Sequence, residues 1–476
     1  NYGSLLIYLN LGVDWLHALC LRALPAASPF SLDLLENLRY GANYGFDWYI
    51  SHPTFLFWNR VLTALFGTAT VALVYYFGLK LGTRLAAVAG AVLLAGTLFH
   101  VQHSAYVTTD VPMTFFVWCV LLFVYLYLDR HKNLYFILAL VASGLATSTK
   151  YNAGLVVIVP AAALFLGRKF ESYRPWLWAL IPLVPALAFF VGTPYALFDF
   201  STFYEDVRYE ILHYSVEGHG GADIEPGLPH MLHQLKLIGE NVGWVFMPFA
   251  ALGLIKLFGR APGLLILGYQ TIYFLSVTQT KVSFHRNVLI LYPVIAILFG
   301  LGLLLIYEFL SQRAKVFSHL GIALLLLAGG YLTLSSAKAG YRSWKVWSRP
   351  ETRTRAVMRI NELAETSDDV LVGVALELRM HPRDLARLEA NYRQRPYLKL
   401  IQQADDYDIL LGYGNLQGSN PEQRARADKI NAVIEQIPEK YEGQIGSGPL
   451  YLHLFSTNPE VVIIEETDKL SEEIDF

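Results

Sequence analysis

The placement of basic residues between apolar runs constrains this chain more than any other feature. From Thr54 to Leu334 it is a train of roughly ten hydrophobic segments, most near the ~20 residues that span a bilayer. The short connections alternate in charge. Lys80–Arg84, Asp129–Lys132, Gly167–Arg174, Lys256–Arg260 and Ser311–Lys315 all gather Lys and Arg. The interleaved connections are His100–Asp110, Thr147–Asn152, Thr193–Leu237 and Gln279–Arg286. The positive-inside rule puts the first set in the cytoplasm and the second outside. The outer set also carries nearly all the side chains able to do chemistry, so function is sought on that face.

With 54% hydrophobic and only 16% charged residues, the composition falls well short of the ~25% charged residues of soluble domains. Most of the acidic residues lie after Ser343, in a polar tail without an apolar run long enough to span. The reading is an α-helical polytopic membrane protein with a small C-terminal soluble α/β domain. Its divisions are 1–53 (outer loop and in-plane helix), 54–338 (spans, with a long outer loop at 193–237) and an extracytoplasmic domain at 339–476. No basic face of the kind nucleic acid requires is present. Cys20 and Cys119 lie in different segments and no CxxC spacing occurs, which argues against a structural disulfide or a cysteine metal site. The chain opens at Asn1 with no signal peptide and is taken to lack a preceding segment.

Ser4–Leu24 is apolar, but Asp14 and His17 sit at its centre on one helical face. A charge at mid-bilayer costs about 2.5–3.5 kcal/mol on insertion scales. An in-plane helix on the outer surface, its polar strip toward water, is therefore expected. A short helix is expected at Leu32–Leu38. The spans follow at Thr54–Phe77, Leu85–Phe99, Val111–Leu128, Leu134–Thr147, Leu155–Leu166, Trp176–Val191, Val242–Leu257, Leu264–Val277, Val288–Ile306 and Leu320–Leu334. In the tail, apolar periodicity predicts helices at Pro350–Glu365, Arg383–Ala390 and Glu422–Ile437. Strands are predicted at Val370–Leu376, Asp408–Tyr413, Tyr451–Phe455 and Val461–Ile464.

Four outer places carry candidate chemistry. Asp110 stands at the mouth of a span, directly before Val111-Pro112. It reads either as an active-site acid or as a helix N-cap, and the two are compatible. Lys150 is an isolated outer cation, either a solvated loop lysine or a contact for a lipid-linked phosphate. Lys281, His285 and Arg286 form a second basic cluster before a span, suited to lipid headgroups or to the same phosphate. Arg60, near the start of the first span, either snorkels to the interface or touches that phosphate. His213, His219, His230 and His233 of the long loop lack His-Glu-x-x-His spacing, which argues against a zinc site. Gly218-His-Gly-Gly221 lends that loop backbone freedom.

These residues resemble the GT-C glycosyltransferases of family 39, the group of the dolichyl-phosphate-mannose protein mannosyltransferases and aminoarabinose transferases. The carriers are Asn1–Tyr8, Arg60–Gly67, His103–Pro112, Gly144–Tyr151, Gly218–Gly221 and Lys281–Asn287. Each is weak alone; their order between the spans is specific. The resemblance covers Asn1 to about Leu334, and the C-terminal module is similar to the extracytoplasmic tails of bacterial members. It implies a GT-C-like fold in the inner (plasma) membrane and an inverting transfer of a sugar from a polyprenyl-phosphate donor to an acceptor hydroxyl on the outer face. The acceptor, whether lipid, glycan or protein, is left open.

For the residues, it implies that Asp110 corresponds to the family's second acid, with the principal base expected before Asn1. Lys150, Arg286, Lys281, His285 and Arg60 would meet the donor phosphate, and His219 and Gly220 would gate the outer loop. No cofactor is required by the resemblance, and a divalent metal is left open. An arginine common before the second acid is missing, with His103 and Tyr106 in that region.

Two other classes compete. A lipid or polysaccharide transporter would carry paired mid-membrane charges and Gly- or Pro-broken helices recurring in two halves, and the sequence offers neither. A non-catalytic envelope scaffold would use the α/β tail to hold a partner.

Overall fold

In the computed structural model the described residues are 3–23, 53–218, 222–312, 330–331, 334, 341, 352–364, 370–378, 380, 382–414, 421–434, 440–441, 461–465 and 467. They belong to two compact units, one drawn from Asn1–Leu32 and Thr54–Lys338, the other from Asp33–Pro53 and Ala339–Phe476.

The first unit is helical. In chain order it holds α1 (Leu5–Ala23), α2 (Pro53–Leu81), α3 (Arg84–Gly96), α4 (Leu98–Ser104), α5 (Asp110–Arg130) and α6 (Asn133–Thr149). Next come a 3₁₀ turn (Tyr151–Val157) running into α7 (Ile158–Leu166), then α8 (Leu177–Gly192), α9 (Tyr195–Phe198) and α10 (Phe200–Leu212). It closes with α11 (Leu228–Val242), α12 (Met247–Phe258), α13 (Ala261–Thr278) and a second 3₁₀ turn (His285–Leu291) leading into α14 (Tyr292–Ser311). Among the described residues five helices are long and apolar enough to cross a membrane, or seven if each of two bent pairs is one span. The shorter apolar helices Asn133–Thr149 and Leu177–Gly192 also match expected spans.

The bent pairs are a departure from the sequence reading. α3 and α4 meet at 64° across Thr97, and α11 meets the helix that follows it at 93° across Gly243. Gly243 has φ +97°, a region costly for residues with a Cβ, so the chain breaks there rather than curving. Of the two break positions, Thr97 and Gly243, only the second is a glycine or proline.

α14 is the innermost span, and small residues let its backbone touch its neighbours. A Cβ on Gly300 would lie 2.2 Å from the Ala86 carbonyl oxygen, and one on Gly90 2.7 Å from that of Ala296. Such close approach is how apolar helices gain packing energy where no hydrophobic drive separates protein from lipid. Trp118 on α5 donates its indole N–H to the Ile290 carbonyl at 3.1 Å, fastening α5 to the turn that precedes α14.

α1 reverses one expectation. Asp14 is only 3% exposed and lies within electrostatic reach of Asn59 of α2, while Ile7, Leu11, Trp15 and Leu16 lie exposed. The polar strip faces the protein because Asn59 and the nearby buried Asn10 offer it polar company there. The apolar strip faces outward, as suits apolar surroundings.

The second unit is a five-stranded mixed sheet with helices. Its elements are α15 (Thr352–Ala364), β1 (Leu371–Ala375), α16 (Pro382–Ala386), β2 (Asn391–Arg395), α17 (Tyr397–Gln402), β3 (Ile409–Tyr413), α18 (Pro421–Ile434), β4 (Lys440–Tyr441) and β5 (Val461–Ile464). The strand order is β2-β1-β3-β5-β4; β1 runs parallel to β2 and β3, and β5 antiparallel to β3 and β4. Ala356 and Ile360 of α15 are buried in one core with Val372, Val374, Leu410 and Ile463.

The helix expected at Arg383–Ala390 stops at Ala386, and β2 and α17 were not foreseen. β2 reads Asn-Tyr-Arg-Gln-Arg, largely exposed at the sheet's edge, so it carries no apolar alternation to signal a strand. The segments expected at Leu32–Leu38 and Tyr451–Phe455, and most of the span at Leu320–Leu334, lie outside the described residues.

Candidate functional site

Asp110 is the first residue of α5, and Lys150 is the residue that ends α6. α5 can begin there because Pro112 falls in its first turn, where a missing N–H costs nothing. Lys150 leaves the helix in an extended conformation, φ -155° and ψ 126°, which turns the chain into the 3₁₀ segment from Tyr151. The two side chains meet at 2.7 Å between Lys150 Nζ and Asp110 Oδ1. Asp110 is 2% and Lys150 5% exposed. Lys150 is therefore not a solvated loop lysine. Nor is Asp110 the capping side chain, since its carboxylate goes to the ammonium and Thr109 occupies the cap position.

Asn287 completes the group. Lys150 Nζ donates to Asn287 Oδ1 at 2.8 Å, and Asn287 is 3% exposed. The Tyr273 hydroxyl of α13 donates to the Asn287 carbonyl at 2.9 Å and accepts from Asn152 Nδ2 at 3.0 Å. Four separate stretches of chain thus hold one buried cation. A buried charge is tolerated only when paired and hydrogen-bonded, and Lys150 has both. Arg286, next to Asn287, is half-buried with its guanidinium 4.5 Å from the Phe284 ring centre. Arg286 and His103 both lie within electrostatic reach of Asp110.

The other expected residues divide. Arg60 is exposed and its charge reaches Tyr106, whose hydroxyl is pushed up by burial and lowered less by Arg60. Thus an arginine from α2 serves the region where the sequence lacks one. Lys281 does not join Lys150. It donates to the Glu217 carbonyl at 3.1 Å and lies 3.7 Å from Asp223 Oδ2.

Around it, the backbone N–H groups of Lys281 and Val282 donate to the Tyr214 carbonyl, Ser283 N–H to Ala222, and Ile224 N–H to Lys281. The segment after α10 is thereby laced across 278–283. Gly218 sits in that lacing with φ +88°, and a Cβ there would meet the Asp223 carboxylate at 2.3 Å. His219 and Gly220 lie outside the described residues.

His285 is likewise turned elsewhere. Its Nδ1–H donates to Gln234 Oε1 at 2.6 Å, and its Nε2 accepts from the Tyr292 hydroxyl at 2.6 Å. Gln234 donates to Ser283 Oγ at 2.8 Å and to His230 Nε2 at 3.2 Å, and His230 Nδ1–H donates to the Thr280 carbonyl at 2.8 Å. Phe99 of α4 packs against both His285 and His103, with ring centres 4.5 Å and 4.1 Å apart. This network belongs to the scaffold that carries Arg286 and Asn287.

A divalent cation does not fit what is here. Asp110 Oδ1 and Asn287 Oδ1 both face one ammonium, and no group of three or more His, Cys, Asp or Glu gathers among the described residues.

Sequence reasoning missed Asn287 and Tyr273. Asn287 lay at the end of the Lys281–Asn287 stretch, but nothing in its spacing distinguished it from its charged neighbours.

Comparison with known proteins adds a partial signature. An uncharacterized protein of Aquifex aeolicus (strain VF5) is 35% identical over 107 residues, which is 22% of this chain and 21% of that one. The chain thus matches only about a fifth of that relative's length. Among solved structures, ArnT from Cupriavidus metallidurans bound to undecaprenyl phosphate is similar at 13% identity and TM-score 0.46, covering 86% of this chain and 84% of that one. The oligosaccharyltransferase of Archaeoglobus fulgidus, tethered with an acceptor peptide, is similar at 13% identity and TM-score 0.47, covering 92% and 64%. Residues 39–198, which include Arg60, Asp110 and Lys150, match the family described as Dolichyl-phosphate-mannose-protein mannosyltransferase.

Proposed function

We propose that the chain is a membrane glycosyltransferase of the GT-C kind, moving a sugar from a polyprenyl-phosphate donor to an acceptor hydroxyl, with inversion, on the extracytoplasmic face. The observation that carries the reading is the buried Lys150–Asp110–Asn287 group with Arg286 at its edge. The family match over residues 39–198 supports it.

In a transfer from a phosphate-linked sugar, negative charge grows on the leaving phosphate. Preorganised cations stabilise that charge more in the transition state than in the ground state. Lys150 and Arg286 bring two positive charges and Asp110 one negative, a net excess that suits a phosphate. Asp110 and Asn287 fix the direction of the Lys150 ammonium, so little reorganisation accompanies the reaction. Asp110 thus acts by positioning, and the acceptor hydroxyl requires a separate base. In this reading Arg60, within electrostatic reach of Tyr106, meets the donor from α2.

The test is release of polyprenyl phosphate from a radiolabelled polyprenyl-phosphate sugar by the intact protein in membranes. Asp110→Asn and Lys150→Ala each lower it by on the order of tenfold or more. Unchanged release in both variants would remove these residues from the site. The two bent helix pairs favour a second reading as a lipid or polysaccharide transporter. Movement of the lipid across vesicles without cleavage of its sugar would select that reading instead.

A further inference from the structure

A cleft of about 940 Å³ opens between the ends of α2, α5, α7 and α13. It is far from Lys150: Asp129 lines it near the last turn of α5, and Asp110 is the first residue of that helix. At 1.5 Å per residue the two are about 28 Å apart. The cleft therefore serves something other than the site described above.

Three kinds of side chain in its lining matter most, beside Tyr125, His131, Phe170 and Ser172. Lys80, Lys169 and Arg260 supply cations, and Asp129 and Glu171 supply carboxylates. Leu128, Leu166 and Pro262 form apolar wall between them. Among the described residues no ion pair joins any of the three cations to either carboxylate. Arg260 is instead steadied by donating to the Leu81 carbonyl at 2.8 Å, and Lys80 lies 5.6 Å from the Tyr76 ring centre. Unlike charges that share a cleft without pairing are arranged for a ligand carrying both acceptors and donors.

We propose that this cleft binds the headgroup of an anionic, hydroxyl-bearing phosphoglyceride of the surrounding membrane. Its phosphodiester meets Lys80, Lys169 and Arg260, its headgroup hydroxyls donate to Asp129 and Glu171, and the start of its acyl chains lies on the apolar wall. Basic pockets between span ends recognise anionic lipid headgroups by this combination of charge and apolar surface. The cleft lies in the loops that gather Lys and Arg, which meet the leaflet where such lipids exert their surface potential.

The experiment is native mass spectrometry of the full chain, with phosphatidylglycerol and phosphatidylcholine competing in mixed micelles. Phosphatidylglycerol is retained preferentially. Lys80→Gln with Lys169→Gln lowers its affinity by at least about fivefold, while Lys236→Gln, on exposed α11, leaves it unchanged. Unchanged melting of the double variant separates lost binding from lost folding; should it melt early, Lys169→Gln alone is read and still lowers retention. Equal retention of both lipids, equal affinity in variant and wild type, or displacement by soluble glycerol phosphate at the same potency would each overturn the proposal.

Discussion

Lys150 and Asp110 stand forty positions apart in sequence, yet their charged atoms meet at 2.7 Å inside the helical unit. Removing one partner leaves an unpaired buried charge, which costs about 3–5 kcal/mol, whereas replacing both with neutral side chains costs far less. Lys150→Met and Asp110→Asn alone therefore lower the melting point in detergent, and the double variant recovers most of it. Transfer activity does not recover with it. A double variant that regains activity along with stability would make the pair purely structural.

Tyr273 tests how firmly Asn287 is held. Its hydroxyl donates to the Asn287 carbonyl and accepts from Asn152. Tyr273→Phe removes both bonds and leaves buried groups unpartnered, at about 1–3 kcal/mol. Unfolding measurements show this loss, and kcat falls because the Lys150 acceptor shifts. Asn287→Ala reproduces the fall in kcat; an Asn287→Ala enzyme with unaltered kcat would exclude it from the site.

Lys281 behaves differently from Lys150. It ties Glu217 and Asp223 to the 278–283 segment at a half-exposed position, where such a pair contributes about 0–1 kcal/mol. Lys281→Ala accelerates amide exchange at 213–227 and leaves the donor KM within about twofold. A large rise in donor KM would return Lys281 to the phosphate site.

Asp14 gives a pH dependence. Burial pushes its carboxyl up to about 6, against a smaller lowering by the neighbouring Asn59 amide. A carboxyl raised in the folded state is favoured when neutral, so its contribution is complete below its unfolded value near ~4. It is lost as the pH rises through about 6. The melting point falls across that interval, and Asp14→Asn flattens the profile.

Much of this architecture was legible in the residues. Lengths of apolar runs and the alternation of basic loops place most spans, because both follow from the bilayer itself. Asp110, Lys150 and Arg286 stood out as charges at span mouths; the first two meet, and Arg286 lies within electrostatic reach of Asp110. Lys281 and His285 stood out for the same reason but turn to Glu217 and Gln234, since nearness in sequence does not decide which way a side chain faces. Asn287 is uncharged and gave no signal. The inward turn of Asp14 depended on Asn59, forty-five positions away, and the edge strand β2 depended on pairing with β1; neither partner can be read from local pattern.

The most direct test of the central claim is the affinity of the intact protein for polyprenyl monophosphate, measured by quenching of its tryptophan fluorescence. Lys150→Met with Arg286→Ala should weaken that affinity by on the order of tenfold or more, while Lys281→Ala leaves it unchanged. Equal affinity in all three proteins would contradict a phosphate site built on Lys150 and Arg286.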